Sequence, residues 1–196
     1  MIQLKDTLIE EMILKYALND RIVILSEEIS RNTIFKVKYL IERIVKLDKE
    51  RGIKPKDAEP IIIRIDSYGG CANSTMHLVS YIFHLRDKGQ VFITEACGAV
   101  MSGGFKILLA GNYRKSHRYC DIMVHQPNSF VYNVQSLQDK KIDYEQTKEL
   151  WELLKTYISE NSYITKEQLD EYVDKNRNWH MRPKEALELG VIDEIY

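Results

Sequence analysis

The stretch CGAVMSGGFKILLAG, residues 97–111, holds a single serine between small and apolar residues. Two glycines follow Ser102, and an apolar run that ends at Gly111 follows them. Glycine and serine are common in tight turns, and a turn that enters a helix also leaves backbone N–H groups free to face a ligand. The pattern therefore leaves two interpretations of Ser102 open: a residue that only fills a turn, or a nucleophile.

The segments around this stretch alternate between strand and helix patterns. Strands are predicted at 21–25, 60–66, 91–96 and 118–124, helices at 30–50, 72–88 and 105–111, and small-residue turns at 67–70 and 97–104. This alternation predicts an α/β domain with a mainly parallel sheet. Reactive groups of such sheets lie at the carboxyl ends of strands, where we expect the Gly69–Gly70 turn, Ser102 and His125.

Further along the chain, residues 130–134 have β character and residues 136–160 form a long polar helix pattern. A helix this polar buries little by itself, so we expect it to pack against another subunit or to project from the domain. A helix at 166–173 follows, and a last one begins at Pro183 and stops at Gly190.

Composition places the chain among ordinary globular proteins. Of its 196 residues, 44% are hydrophobic and 29% charged, and the formal net charge of -1 favours neither nucleic acid nor acidic membranes as a partner. Cys71, Cys97 and Cys120 have no CxxC or zinc spacing, which indicates buried thiols in a reducing compartment. Residues 1–20 do not resemble a signal peptide, and no apolar run could span a membrane. We therefore expect a cytoplasmic protein.

A serine nucleophile needs a base that takes its proton. Of the five histidines, His125 closes a predicted strand and precedes Gln-Pro. The others are interpreted as helix-face, loop or tail residues: His77, His84, His117 and His180. No cluster of side chains has metal-ligand spacing, and the serine turn lacks the Gly-Lys-Ser/Thr ending of a phosphate loop, so we expect neither a metal nor a cofactor.

Four segments in a fixed order are similar to one known family. They are IIIRIDSYGG (61–70), GAVMSGGFKILLAG (98–111), DIMVHQP (121–127) and PKEALELGVIDEI (183–195). The family's counterparts are a strand followed by Asn-Ser-Pro-Gly-Gly, the turn Gly-x-Ala-Ala-Ser-Met-Gly with Leu-Leu-Ala-x-Gly behind it, Met-Ile-His-Gln-Pro, and Glu-Ala-x-x-x-Gly-Leu-Ile-Asp. Over about residues 20–196 the chain thus resembles the proteolytic subunit of the Clp protease, a serine peptidase with the crotonase-type fold.

The resemblance implies an architecture and partners. The fold would be α/β, a crotonase/ClpP-like spiral of strand-strand-helix units with a protruding handle helix. Residues 1–196 would form one domain, with an N-terminal segment at 1–20 and a handle region at 126–160. Residues 128–134 would pair with the substrate peptide as an added strand. The handle helix would join two heptameric rings into a tetradecamer, which an AAA+ unfoldase would supply with unfolded protein.

The resemblance also implies roles for site residues. Ser102 would be the nucleophile and His125 the general base. The oxyanion donors would be the backbone N–H groups of Gly70 and Gly103. No metal takes part in this chemistry.

Three positions depart from the family pattern. Tyr68 stands where the family has proline, which should alter the rigidity of the glycine turn. Residues 128–135, NSFVYNVQ, lack the family's glycine-rich loop. Counting back from Glu185 and Ala186 without a gap, the position of the triad aspartate holds Asn178.

Asparagine changes the expected mechanism because its side chain carries no charge. If its amide donates to the histidine, the imidazole proton lies on the nitrogen that faces Ser102, and the ring cannot act as a base. If its carbonyl accepts instead, the ring keeps its orientation and only the charge is lost. We therefore expect a Ser-His-Asn triad of weak or conditional activity. Asp174, four residues upstream on the preceding helix, is the nearest acidic alternative to Asn178.

Three other functions stay open. The chain could be a structural or regulatory subunit that assembles with an active paralogue, which Asn178 favours and the pair Ser102 and His125 disfavours. A crotonase-type enzyme acting on acyl-CoA would need paired glutamates that the sequence lacks. A serine–lysine dyad of the signal-peptide-peptidase type would use Lys106, one helical turn from Ser102, and ranks below His125.

Overall fold

The computed structural model describes residues 2–128, 136–174 and 178–196, without the side chains of residues 2–8, 10, 173 and 174. The α-helices within these residues are α1 (Ile2–Asp20), α2 (Arg31–Glu50), α3 (Ala72–Arg86), α4 (Gly103–Leu109), α5 (Leu137–Glu160), α6 (Lys166–Asp174) and α7 (Pro183–Glu188). The strands are β1 (Ile22–Leu25), β2 (Ile61–Ser67), β3 (Phe92–Met101), β4 (Tyr113–Ser116), β5 (Asp121–Val124), β6 (Trp179–Met181) and β7 (Glu194–Ile195). The segment 130–134, for which β character was predicted, lies outside the described residues.

The strands form one mixed sheet that is parallel almost throughout. Its main path runs β1-β2-β3-β4-β7, with every neighbouring pair parallel. The strand β5 pairs in parallel with the end of β3 and antiparallel with β6. This confirms the predicted α/β architecture, and no described helix is long and apolar enough to cross a membrane.

The second helix shows why the periodic segments were predictable. The Ser30 hydroxyl oxygen accepts a hydrogen bond from the Thr33 N–H at 3.1 Å, which caps the start of α2. Its buried apolar residues recur at helical spacing and face the sheet: Ile34, Val37, Ile41 and Ile44. The strand β2 beneath is buried at alternate positions: Ile61, Ile63 and Ile65.

The third strand is longer than predicted. Residues 97–101, read as part of a turn, continue β3 to Met101. Between the pairs Ile65–Ala96 and Ser67–Val100, β3 has two residues more than β2, so the strand passes through a bulge. The prediction of a turn was wrong because the small residues belong to this bulge, beyond which β3 acquires β5 as a new neighbour.

The basic segment 112–118, in which His117 was interpreted as a loop residue, contains the strand β4. The predicted strand 118–124 correspondingly begins only at Asp121. Arg114 explains the difference: its backbone N–H and its guanidinium both bind the Asp193 carboxylate, at distances of 2.7 to 3.0 Å. A charged segment forms a strand here because its hydrogen-bonding partners, such as Asp193, lie far away in the sequence.

The long helix α5 is divided along its length. Its first half is largely exposed, as expected of a helix that projects from the domain. Its second half, however, packs into the protein's own core through Trp151, Leu154, Tyr157 and Ile158. The expectation that α5 buries little on its own domain is therefore wrong for this half, whose apolar residues return at helical spacing.

The three cysteines are free thiols with different surroundings. Cys120 is buried and Cys97 partly buried, but Cys71 is exposed. The prediction of buried thiols is wrong for Cys71, because it lies at the start of α3 in a turn that faces solvent.

A buried ion pair ties the start of the sheet to α2. Arg21 binds the Asp48 carboxylate through two nitrogens, at 2.8 and 2.9 Å, and Asp48 is buried.

We predict that Asp48→Ala lowers the free energy of unfolding by about 3 kcal/mol, since it leaves the Arg21 guanidinium without its carboxylate partner. Glu50→Ala, which removes the exposed pair with Lys46, should cost less than about 0.5 kcal/mol. Equal losses in urea unfolding would contradict this ranking.

Candidate active site

Three strand ends meet beside Ser102. It follows β3 directly, His125 follows β5, and the Gly69–Gly70 turn lies just beyond β2. Because β2 and β5 both run parallel to β3, on opposite edges of it, their carboxyl ends lie together. The Ser102 N–H donates to the Met123 carbonyl oxygen at 2.9 Å, which fastens the serine to β5.

The backbone of Ser102 is strained. Its φ of 53° and ψ of -109° fall in a region that residues with a side chain rarely adopt. Of the described residues other than glycine, it shares a positive φ with Arg21 alone. Such strain persists only where the surroundings impose it, and it is concentrated at functional sites. Here it produces a sharp turn between β3 and α4 with a partly exposed serine at its corner.

Close contacts around Ser102 require glycine at two positions. A Cβ on Gly69, whose φ is +100°, would lie 2.6 Å from the Ser102 Cβ and 2.9 Å from the Gly103 nitrogen. A Cβ on Gly103 would lie 2.5 Å from the Thr75 hydroxyl oxygen of α3. The turn after β2 therefore packs directly against the serine and the start of α4.

The glycine turn is held by hydrogen bonds rather than by a proline. The Ser67 hydroxyl donates to the Glu27 carbonyl oxygen at 2.6 Å and accepts from the Gly69 N–H at 3.2 Å. Tyr68, which stands where the resembled family has proline, is 78% exposed. Its ring is thus not what supports the turn.

Two backbone N–H groups near the serine have no hydrogen-bond partner among the described residues. The Gly69 carbonyl oxygen accepts a hydrogen bond from the Ile29 N–H, and the Cys71 N–H donates one to the Ile29 carbonyl oxygen, each at 2.7 Å. Gly70 lies between these two bonded groups, and in an extended chain the backbone groups of the middle residue point to the opposite side. The Gly70 N–H is therefore directed away from Ile29. The Gly103 N–H begins α4 and has no acceptor within its helix. Among the described residues neither N–H is hydrogen-bonded, so both are available as donors.

The half-buried imidazole of His125 has a lowered pKa. Burial lowers the pKa of its imidazole, and the nearby charge of Lys106 lowers that pKa further. The ring is therefore neutral at neutral pH, the form that a general base needs. Within the described chain no hydrogen bond joins His125 to the Ser102 hydroxyl, so the two lie at adjacent strand ends without being engaged.

Lys106 is only 4% exposed and lies one turn behind the serine in α4. Its Nζ donates to the Ser102 carbonyl oxygen at 3.2 Å, and burial lowers its pKa to about 8. It makes no hydrogen bond to the Ser102 hydroxyl in the described structure, which does not favour the serine–lysine dyad. The sequence placed Lys106 near the serine but missed its burial. The signal was the apolar run on both sides of it.

The antiparallel pairing of β5 and β6 ends next to His125 and Asn178. Val124 and Trp179 form the last pair of the ladder; His125 directly follows Val124, and Asn178 directly precedes Trp179. The Asn178 side chain is exposed, and the described chain shows no hydrogen bond between it and His125. Asp174 is the last residue of α6, and its side chain lies outside the described part of the structure.

The other candidate residues are exposed or lie largely outside the described residues. His180 lies 3.1 Å from an Asp121 carboxylate oxygen and is exposed, as are His77 and His84 on α3. The proposed substrate strand, 128–134, lies outside the described residues beyond its first position. No group of three His, Cys, Asp or Glu side chains in the described part could hold a metal ion.

Comparison with known proteins gives a consistent result. The family model named Clp protease matches residues 6–196. The chain is 29% identical over 180 residues to "ATP-dependent Clp protease proteolytic subunit 1" of Prochlorococcus marinus (strain MIT 9312), covering 91% of this chain and 85% of the relative. It is 26% identical over 182 residues to "ATP-dependent Clp protease proteolytic subunit" of Streptococcus mutans serotype c (strain ATCC 700610 / UA159), with 91% and 85% covered. The crotonase/ClpP-like fold class is thereby confirmed.

Gly69 and Gly52 offer a matched test of the contact with the serine. Both have positive φ, but a Cβ on Gly52 would meet nothing within 4 Å. Gly52→Ala should lower the free energy of unfolding by about 1 kcal/mol, the cost of a left-handed alanine. Gly69→Ala should cost about 1–3 kcal/mol more, because its Cβ must displace Ser102. Equal losses in urea unfolding would show that the turn is not packed against Ser102.

Proposed function

The chain belongs to the Clp protease family, and from that premise we propose that it is a cytoplasmic serine endopeptidase subunit of an ATP-dependent Clp-type protease. Ser102 acts as its nucleophile, His125 as its general base, and the N–H groups of Gly70 and Gly103 as its oxyanion donors. The observation that carries this proposal is the convergence of the strand ends of β2, β3 and β5 on a strained Ser102.

The reaction follows from these positions. The Ser102 hydroxyl attacks the carbonyl carbon of the scissile peptide bond while His125 takes its proton, and the carbonyl oxygen becomes an oxyanion. The two backbone N–H groups stabilise that charge, which usually contributes most to such catalysis. When the C–N bond breaks, His125 returns the proton to the leaving amine, and an acyl-enzyme remains. Water, activated by the same imidazole, then releases the peptide acid and restores the serine.

Asn178 makes this activity weak or conditional. A triad carboxylate orients the imidazole and stabilises the imidazolium that forms in the transition state. The neutral amide of Asn178 supplies no charge, and its exposed side chain leaves the orientation of His125 less restrained. Rotation of Asn178 toward His125, with its carbonyl as acceptor, is the change that would raise activity.

A second candidate is a regulatory subunit that assembles with an active paralogue. It is favoured by the disengaged pair of Ser102 and His125 and by the exposure of Asn178. In that case the chain would contribute its surface and its chamber wall rather than hydrolysis. A test of serine reactivity separates the two candidates.

Fluorophosphonate labelling measures that reactivity. We predict slow labelling of Ser102 in the native chain and none in Ser102→Ala. Asn178→Asp should speed the labelling at least about tenfold and up to about 10⁴-fold, the loss seen when a triad aspartate becomes asparagine in another serine protease. The restored carboxylate should also raise the pKa of His125, which shifts the acidic limb of the pH–rate profile to higher pH.

Each outcome of this labelling has a distinct meaning. If the Asn178→Asp variant is labelled and the native chain is not, the regulatory subunit is favoured. The native chain would then be inactive only because it lacks the carboxylate. Absence of labelling at Ser102 in both forms would rule out the peptidase.

The assembly is proposed to consist of heptameric rings, stacked as a tetradecamer through the handle region 126–160 and served by an AAA+ unfoldase. The exposed first half of α5 supports this, because it carries apolar side chains that a second copy could cover: Leu137, Ile142 and Tyr144. Substrate access to the enclosed sites would then be limited to unfolded chains.

Native mass spectrometry tests this assembly. We predict tetradecamers of the 23.0 kDa chain, which Tyr144→Glu should convert to heptamers by placing charge in the ring–ring contact. The control is Tyr119→Glu, at a tyrosine that is 89% exposed and lies outside the handle. A stable monomer in the native protein would contradict the proposed ring.

A further inference from the structure

Among the lysines whose side chains the structure describes, two are buried, and only one of these two has a described counterion. Lys155 is 5% exposed and binds the carboxylates of Glu152 at 2.8 Å and Asp170 at 2.7 Å. Lys106 is 4% exposed, and no carboxylate in the described part of the chain pairs with it. An unpaired buried ammonium is strongly unfavourable for folding. A lysine at position 106 is therefore not explained by the stability of the fold. The other residues of α4 are apolar or glycine.

The hydrogen bond of Lys106 indicates another reason. Its Nζ donates to the Ser102 carbonyl oxygen at 3.2 Å. That carbonyl and the Gly103 N–H are the two ends of one planar trans peptide group and point in opposite directions. Fixing the oxygen on the Lys106 side therefore fixes the N–H on the opposite side, away from Lys106. A Cβ on Gly69 would lie 2.9 Å from this nitrogen, so the glycine turn is its direct neighbour.

Without such a bond this peptide would be weakly restrained. It follows a residue in a strained conformation and lies before two consecutive glycines, which accept many backbone angles. The first helical hydrogen bond of α4, from the Lys106 N–H to the Ser102 oxygen, is 3.4 Å long and correspondingly weak. A flipped peptide would present a carbonyl where the oxyanion needs a donor.

We propose that Lys106 is a positioning residue that locks the Ser102–Gly103 peptide with the Gly103 N–H directed at the oxyanion. The inference rests on the proposed function, since only an acyl-transfer site uses that donor. The ammonium also polarises the peptide from its carbonyl end, which makes the N–H a stronger donor. A cation beside His125 disfavours the imidazolium, so the charge of Lys106 helps the oxyanion and not the base.

The test compares Lys106→Met, which keeps the volume without the ammonium, with Lys155→Met as the matched buried lysine. Lys106→Met should fold and assemble with an unchanged or higher Tm, because an uncompensated buried charge is removed. Its fluorophosphonate labelling of Ser102 should be slower by about tenfold or more, part of the 10²–10³ that loss of one oxyanion donor costs. Lys155→Met should show the reverse: a lower Tm and an unchanged labelling rate.

The pH–rate profile tests separately whether the charge of Lys106 acts on His125. Removing the Lys106 charge raises the pKa of His125, so the acidic limb should shift to higher pH in Lys106→Met. Lys106→Gln, which keeps a neutral donor, should retain part of the labelling rate and show the same shift.

The results separate this inference from the proposed function. Native-rate labelling in Lys106→Met, with Ser102 still labelled, would overturn the role of Lys106 and leave the peptidase intact. Loss of folding in both position-106 variants would also overturn it, because the lysine would then be structural. No labelling of Ser102 in the native protein or in Asn178→Asp would instead refute the peptidase, and the role of Lys106 with it.

Discussion

The parallel pairing of β3 with a different strand on each edge is the constraint on which the site depends. At Val100, β3 pairs with Ser67 of β2 on one side and with Ile122 of β5 on the other. The chain leaves this position through Ser102, with a glycine turn and a histidine at the ends of its two neighbours. If either register slipped by one residue, side chains would change faces and the serine would lose one of these neighbours. Strand pairing, more than any single side chain, builds the site.

Two locally unfavourable features lie together at this point. Ser102 has strained dihedral angles, and Lys106 holds a buried charge without a described counterion. The surrounding packing holds this segment in place, since α4 is buried along its whole length and Tyr157 of α5 donates to the Lys106 carbonyl oxygen at 2.8 Å. Departures from the usual folding rules are expected where function requires them. The same contact connects the buried half of α5 to the helix that carries the nucleophile.

The predictability of each element follows from where its stabilising partners lie. The helix α2 was predictable because its cap at Ser30 and its apolar periodicity are local. The strand β4 was missed because the partner of Arg114, Asp193, is 79 positions away in the chain. The bulge in β3 was read as a turn because small residues serve both structures. In the site, the residue types at the strand ends were predicted, and the roles of Ser102, His125, Gly70, Gly103 and Asn178 remain predictions.

By itself the sequence determined the α/β alternation and the chemical groups that follow each strand, because both depend on short-range pattern and on residue type. Only the tertiary structure decided that Gly69 packs on Ser102, that β6 pairs with β5 up to Val124 and Trp179, and that Lys106 is buried. These depend on pairing and desolvation between segments far apart in the chain, for which a local pattern holds no signal. A lysine one turn from a serine is ordinary in a sequence. Its burial, without a described carboxylate, is what gives it a role in the site.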